Sequence, residues 1–475
     1  MGVESQSNRV LLANLMLGSF LTGTASRIFA ISLPTVAENL QTDIAGISWA
    51  LISFQLSTIS LSLVFGRMGD LYGRQTIFGI GLLVFTASSF LCGLSQDILQ
   101  LIFFRLLQGV GAAMIQAQGR ALAMEAVPQE SVGKAQGFLT TAHHSGFLLG
   151  PSMGGFIIDY IHWRGIFFSL VPIGTAGALL SWVNNKRSPV PVAEKGSAAR
   201  SSVDYLGAAL LVATALVLIA ILDRKVMEVV PPGWRSVLIM AFVGFLIVFL
   251  VREATASSPI LIFSLFRIRM FAFSTVCLLL VSINFSLTAF LLPFYLQEIL
   301  HLSPSFIGIL FMSAPIFTIT LSPVGGYLFD KMGSRLPATA GTVLFGVGSI
   351  LGVILGTDSH WFLPTLMIAL GGLASALFYP SNHSAMIVSV PAEHRGVATG
   401  TVYMMFGLGN TFGITLGSFL MTTAFRFHTG LSAAAPTTEN PTAFVAALNT
   451  TFLVVFGIAA LGTVLSLMRG KERRR

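Results

Sequence analysis

Apolar runs separated by short polar turns fill nearly the whole chain. A hydrocarbon core about 30 Å thick is crossed by about 20 helical residues. Runs of that length fall at 10–32, 47–68, 76–95, 98–119, 134–158 and 164–184. Two more fall at 203–222 and 234–252, and six others at 270–297, 304–328, 337–356, 361–388, 395–424 and 448–468. The pattern predicts an all-α polytopic membrane protein of fourteen spans in the order six, two, six. The expected organisation is an N-terminal six-helix bundle at 1–185, a cytoplasmic linker at 186–202, two extra transmembrane helices at 203–252, and a C-terminal six-helix bundle with a basic tail at 253–475. The linker is the one stretch rich in Pro, Ser, Ala and basic residues.

One turn is written twice. Gly66-Arg67-Met68-Gly69-Asp70-Leu71-Tyr72-Gly73-Arg74 returns 260 residues later as Gly326-Tyr327-Leu328-Phe329-Asp330-Lys331-Met332-Gly333-Ser334-Arg335. Each copy joins two apolar runs, so each is a tight charged turn at a membrane face. An internal repeat of this kind implies two pseudo-symmetric bundles that rock about a central site, the layout of a transporter.

Composition agrees with the pattern. Apolar residues make up 54% of the chain and charged residues 10%, and mean hydropathy is +0.83. Soluble domains carry about 25% charged residues. The first apolar run is longer than a signal-peptide core and lacks a small-residue cleavage site, so it is read as a retained span. Cys92 and Cys277 both lie in apolar runs, which argues against a disulfide framework. With both termini cytoplasmic, twenty of the 27 Lys and Arg fall on that face. The opposite face receives Arg164, Arg224, Lys225, Arg235 and Arg426. The net charge of +8 is thus a topology signal and not a nucleic-acid footprint. The tail from Arg469 to Arg475 is suited to anionic lipid head groups.

The two turns resemble the signature between spans two and three of the major facilitator superfamily and its echo in the second half. Arg105-Leu106-Leu107-Gln108-Gly109-Val110-Gly111 is similar to that family's second motif. Gly146-Phe147-Leu148-Leu149-Gly150-Pro151-Ser152-Met153-Gly154-Gly155 is similar to its antiporter motif. Trp163-Arg164-Gly165-Ile166-Phe167-Phe168, followed by Val171-Pro172-Ile173-Gly174, resembles the start of span six in the fourteen-span drug:proton antiporter branch. The resemblance covers essentially the whole chain. It implies that the repeated turns, with Asp70, Arg74, Asp330 and Arg335, latch the two halves on the cytoplasmic side. Physics supplies each part: Gly66, Gly73, Gly326 and Gly333 permit tight turns and close helix approach. A carboxylate faces a helix N-terminus well, and Arg pairs with carboxylates or head groups. Compact loops that merely obey the positive-inside rule are the plainer alternative. In the fifth span Gly146, Gly150, Gly154 and Gly155 offer a small face for backbone contact, and Pro151 permits a bend. Static packing is the alternative there.

The charges inside the spans depart from the family. Every Asp and Glu lies in a loop or at a span end, and the buried ionisable groups are Arg27, Arg105, His143 and His144, with His383 nearer the cytoplasmic end of its helix. Members of this antiporter branch carry an Asp about nine residues before the Pro that ends the first span. Counting back from Pro34 reaches Ala25, with Arg27 beside it. A cavity with two Arg and up to two His favours an anion or an amphipathic molecule with an acidic head. Arg27 and Arg105 are expected at similar depth, converging on one anionic group, although Arg105 is equally suited to bonding helix carbonyls and Arg27 to snorkelling outward. Adjacent helical residues point about 100° apart, so one of His143 and His144 is expected to face the cavity squarely. Gln55, Gln108, Gln116, Asn284 and Asn410 are further polar candidates for its lining, with Phe290, Tyr295 and Tyr403 as apolar walls.

The expected function is proton-coupled export of a small amphipathic compound by alternating access. Arg27, Gln55, His143, His144, Asn284, Phe290 and Tyr403 would meet substrate. Asp70, Arg74, Arg105, Gly146, Gly150, Pro151, Asp330 and Arg335 would couple or gate. A proton-linked importer, a lipid-handling member of the same fold and a non-transporting sensor are the alternatives. Expected partners are the substrate, protons and membrane lipids, with no nucleic acid, no metal and no cofactor. A monomer in a bacterial inner membrane is the expected state. An enzyme finds no support, since Gly-Lys-Ser/Thr phosphate loops, Gly-x-Ser-x-Gly and metal-spaced Cys/His/acid clusters are lacking in the sequence.

Overall fold

The computed structural model describes residues 3–127, 132–187, 205–222, 230–255, 262–391, 394–430, 436 and 440–470, with no strand among them. The first half contains α1 (Val3–Ile31), α2 (Leu33–Asn39), α3 (Ile44–Tyr72), α4 (Arg74–Leu94), α5 (Ile98–Glu125), α6 (Val132–Tyr160), α7 (Gly165–Phe168) and α8 (Leu170–Arg187). Then come α9 (Tyr205–Leu222) and α10 (Pro232–Thr255). The remainder is α11 (Arg269–Phe294), α12 (Pro304–Phe311), α13 (Ser313–Met332), α14 (Arg335–Val353), α15 (Phe362–Val388), α16 (Arg395–Thr429) and α17 (Pro441–Met468). Each of the fourteen expected runs coincides with helix. Among the described residues eleven helical stretches are long and apolar enough to cross a membrane, or twelve with the bent α1–α2 pair. The expected spans outside that number are α6, rich in Gly, Ser, Thr and His, and α9. Most of the linker and residues 471–475 of the basic tail lie outside the described residues.

The chain divides into two compact units. One comprises Met1–Leu40, Trp49–Ala208 and Pro304–Gly308, and the other Gln41–Ser48, Ala209–Ser303 and Ile309–Arg475. Their internal packing repeats. In the first unit α1 packs on α5, α6 and α8, and α4 on α5 and α8. In the second, α11 packs on α15, α16 and α17, and α14 on α15 and α17. Single bonds repeat too: Thr58 Oγ1 donates to the Gly109 carbonyl at 3.3 Å, and Thr318 Oγ1 to the Gly372 carbonyl at 3.0 Å.

Proline sets where the first helix of each half breaks. α1 stops before Pro34 and bends by 64° into α2. α11 carries Pro293 and passes into a π-helical turn at Tyr295–Ile299. A missing N–H and a ring clash make each a natural end of regular helix. The Tyr295 hydroxyl then donates to the Gly356 carbonyl at 2.7 Å, fixing this end of α11 to the end of α14.

The repeated turns close alike. Gly73 and Gly333 adopt φ of +92° and +79°, and their N–H groups bond the Gly69 and Phe329 carbonyls. That left-handed backbone is what the glycines were expected to permit. Gly66 and Gly326 differ from expectation: neither has a neighbour within 4 Å of where a Cβ would stand, so neither serves close helix approach.

The two extra helices pack within the second unit from Ala209 onward. Leu210 of α9 and Phe249 of α10 form a buried cluster with Met404 and Leu408 of α16. The most apolar window of α10 is only 6% buried, leaving most of its surface for lipid.

Candidate functional site

Four glycines bring α1 and α6 into backbone contact. A Cβ on Gly23 would lie 2.2 Å from the His143 carbonyl oxygen, and one on Gly146 would lie 2.4 Å from that of Phe20. Gly150 meets the Thr24 carbonyl and Gly154 that of Ile28 in the same manner. Small faces allow this approach and larger side chains forbid it. Pro151 stands within α6 and cannot donate to the Phe147 carbonyl one turn back, which weakens the helix at this level.

Beside this seam the structure gathers four side chains. The Arg27 guanidinium lies 5.1 Å from the centre of the Phe147 ring. The His143 ring stands 4.7 Å and the His144 ring 6.0 Å from the same ring, and the two imidazoles are 6.1 Å apart. His143 Nδ1 donates to the Ser19 carbonyl at 3.1 Å. All four residues are partly buried. The group offers a fixed positive charge, two imidazoles and an aromatic plate. Phe147 was not among the expected site residues, although its spacing of three and four from His144 and His143 placed it on the same face.

Arg105 goes elsewhere. Residues 27 and 29 are separated by about 200° around α1, and Arg105 sits on the Phe29 side. Its guanidinium is stacked among Phe54 at 4.3 Å, Phe29 at 4.9 Å and Phe167 at 6.0 Å, with the residue 1% exposed. Nε donates to the Ala50 carbonyl of α3 at 3.0 Å and Nη1 to Gln108 Oε1 at 2.7 Å. Gln108 in turn donates to Ser89 Oγ of α4 at 2.7 Å. The expected convergence of Arg27 and Arg105 is therefore not found: Arg105 ties α5 to α3 and α4, and Arg27 alone stays with the imidazoles. The segment from Trp163 to Phe168 seals the same region. Trp163 is buried, Phe167 packs on Phe29 at 5.5 Å, and Arg164 donates to the Ser95 carbonyl at 2.8 Å.

Other expected residues take other places. Asn284 is 3% exposed and donates to Ser349 Oγ of α14 at 3.1 Å and to the Val455 carbonyl of α17 at 3.5 Å, so its amide is occupied in interhelical packing. Phe290 is buried against Gly417 and Phe294. Asn410 donates within its own helix to Phe406. Gln55 is half-buried on α3 and Tyr403 is exposed on α16. In the turns, Arg74 pairs with Glu125 at 2.7 Å, both partly exposed. Asp330 and Arg335 are exposed, and the Asp70 side chain lies outside the described ones. Arg469, expected in a head-group-binding tail, is instead buried and donates to Ser466 at 2.8 Å.

A second glycine face went unread in the sequence. Gly409, Gly413 and Gly417 of α16 meet Leu279, Ile283 and Leu287 of α11 as the α6 glycines meet α1. The same four-residue spacing was the available signal.

Comparison with known proteins gives this geometry its family. The chain is 27% identical to the riboflavin transporter RibZ of Clostridioides difficile over 463 residues, covering 96% of each. It is 25% identical to the multidrug transporter protein MdtP of Bacillus subtilis, covering 86% of this chain and 75% of that one. It is 26% identical to the multidrug export protein EmrB of Haemophilus influenzae, covering 86% and 80%. Among solved structures, a bacterial homologue of the human lysosomal transporter Spinster, inward-facing and unoccupied, matches with a TM-score of 0.69 at 13% identity over 98% of this chain and 97% of that one. A POT family transporter in complex with 5-aminolevulinic acid matches with a TM-score of 0.69 at 14% identity over 98% and 97%. The sequence profile of the Major Facilitator Superfamily matches residues 15–277 and 274–474. This chain is thus an integral membrane transporter and belongs to the Major Facilitator Superfamily.

Proposed function

We propose that the protein moves a small amphipathic organic compound bearing an acidic group, by alternating access, across a bacterial inner membrane with both termini cytoplasmic. The observation that carries this reading is the partly buried group of Arg27, Phe147, His143 and His144. Neither α1 beyond Glu4 nor α6 before Asp159 contains an acid in its sequence. Arg27 supplies a charge that a sulfonate, carboxylate or phosphate would complete, and Phe147 a plate for an aromatic or other apolar body. A lipophilic cation would meet the like charge of Arg27 there. A charged side chain within the spans costs at least a few kcal/mol, which is the usual mark of a functional charge in a membrane protein.

Outward transport is the first reading of direction, from the relatives named for multidrug transport and export. Uptake together with protons is the second. It is favoured by the lack of a carboxylate that a proton and a cation would exchange on. The deciding experiment is flux in liposomes holding the purified protein, native and Arg27→Ala, against matched lipophilic acids and cations. Transport of acids that Arg27→Ala abolishes supports the reading. Transport of cations that Arg27→Ala leaves unchanged overturns it.

A further inference from the structure

The second unit gathers arginines at the end where α11 and α14 both begin. Just before α11 the chain makes a short 3-10 helix at Phe263–Arg267. Leu265 is buried there and Phe266 packs on Phe271 at 5.3 Å, which pins this segment to the start of α11. Arg267 and Arg269 are left exposed. Ser334, the residue before α14, donates to Met270 Sδ at 3.7 Å, and both residues are buried. Arg269 and Arg335 are the chain neighbours of that contact, and both are exposed. Consecutive Cα atoms are about 3.8 Å apart, so the three guanidinium groups can reach one anion. Asp330 and Lys331 of the turn before α14 balance in charge, so the arginines set the sign.

The first unit shows how such a charge is otherwise neutralised. Arg74 opens α4 as Arg335 opens α14, and Arg74 pairs with Glu125 of α5 at 2.7 Å. Counted from the matched Thr58–Gly109 and Thr318–Gly372 bonds, Val388 takes the place of Glu125. Val388 is exposed and offers no charge. Among the described residues none of Arg267, Arg269 and Arg335 forms an ion pair, and Arg269 lies 5.6 Å from the Phe273 ring. Beyond Arg335, Leu336, Val343, Val347 and Ile350 are all exposed. Their steps of seven, four and three place them on one face of α14. A basic end that leads into an exposed apolar face matches the two parts of a phospholipid.

We propose that Arg267, Arg269 and Arg335 hold the phosphate of an anionic phospholipid whose acyl chains lie along the exposed face of α14. Guanidinium forks take phosphate oxygens in pairs. The ammonium of phosphatidylcholine meets the same arginines with like charge, so a net-anionic head group is preferred. In the proposed orientation this end lies at the cytoplasmic leaflet, whose anionic lipids attract basic residues near the surface. The lipid thus supplies to Arg335 the negative charge that Glu125 supplies to Arg74. None of these residues belongs to the Arg27 group, so the inference stands apart from the substrate reading.

The test mixes the purified full-length protein with equal amounts of phosphatidylglycerol and phosphatidylcholine and reads the retained lipid by native mass spectrometry. Phosphatidylglycerol is expected to exceed phosphatidylcholine about tenfold or more. The triple variant Arg267→Gln, Arg269→Gln, Arg335→Gln is expected to lose that preference. Val388→Glu places an acid where the first unit has Glu125, and is expected to weaken phosphatidylglycerol retention several-fold by occupying Arg335. A phosphatidylglycerol with a photoactivatable acyl chain should label the native protein within residues 336–350, a readout that needs no variant to fold. Equal retention of the two lipids, an unchanged preference in the triple variant, or labelling confined to other helices overturns the inference. Displacement of the lipid by glycerol 1-phosphate also overturns it, since the arginines would then hold a small soluble anion.

Discussion

In the first unit Gly23, Gly146, Gly150 and Gly154 bring α1 and α6 into backbone contact, and in the second Gly409 and Gly413 do the same for α11 and α16. Aligning the helix-breaking Pro34 with Pro293 sets Arg27 opposite Ser286. Ser286 donates across its seam to the Asn410 carbonyl at 2.9 Å and is buried. Arg27 reaches across its own seam to an aromatic ring beside two half-buried imidazoles. Likewise the matched Thr58–Gly109 and Thr318–Gly372 bonds set Arg105 opposite Ile368. The duplication thus preserved how helices pack and not what they carry. At these matched places the first unit carries Arg27 and Arg105, and the second Ser286 and Ile368.

The strongest way to break the comparison is to fill the seams. Gly23→Val and Gly413→Val are both expected to remove folded protein, at a cost of about 3 kcal/mol or more each. Their Cβ atoms would stand 2.2 Å and 2.6 Å from the carbonyls of His143 and Ile283. Size-exclusion profiles of the detergent-extracted variants check this. A folded, monodisperse Gly413→Val would show that the second seam is looser than the first.

Arg105→Lys is next. Lysine has no planar fork and stacks less well, so the Ala50 and Gln108 bonds and the three-ring cage are not reproduced. A loss of about 2 kcal/mol is expected in thermal unfolding. Ile368→Val, at the matched place, should cost about 1 kcal/mol. Equal losses would deny Arg105 its special structural part.

Arg27→Gln should leave thermal stability nearly unchanged and lower lipophilic-acid transport about tenfold, the equivalent of about 1.4 kcal/mol. Ser286→Ala should do the opposite, costing about 0.6 kcal/mol of stability with transport intact. Flux and melting measured on the same preparations separate the two. Asn284→Ala should lose about 1 kcal/mol from its bonds to Ser349 and Val455, with unaltered substrate preference. A changed preference would return Asn284 to the substrate path.

The sequence by itself determined the helices, the repeated turn with its glycines at positive φ, the glycine face of α6 and the lack of acids in α1 beyond Glu4. These follow from local rules: apolar length, backbone permissiveness and the identity of charged residues hold whatever the partner. The partner of each face was decided only by tertiary structure. Arg27 and Arg105 were equally plausible neighbours in the sequence, yet the two-residue step from Arg27 to Phe29 turns them to different sides of α1. Asn284 and Arg469 read as exposed to substrate or lipid head groups, and both are occupied inside the second unit. Phe147 became part of the site only because Gly146 and Gly150 let α1 come close enough to lay Arg27 upon it. Helical periodicity fixes which residues share a face. Only the packing of one helix against another, set by where small side chains permit contact, fixes what that face meets.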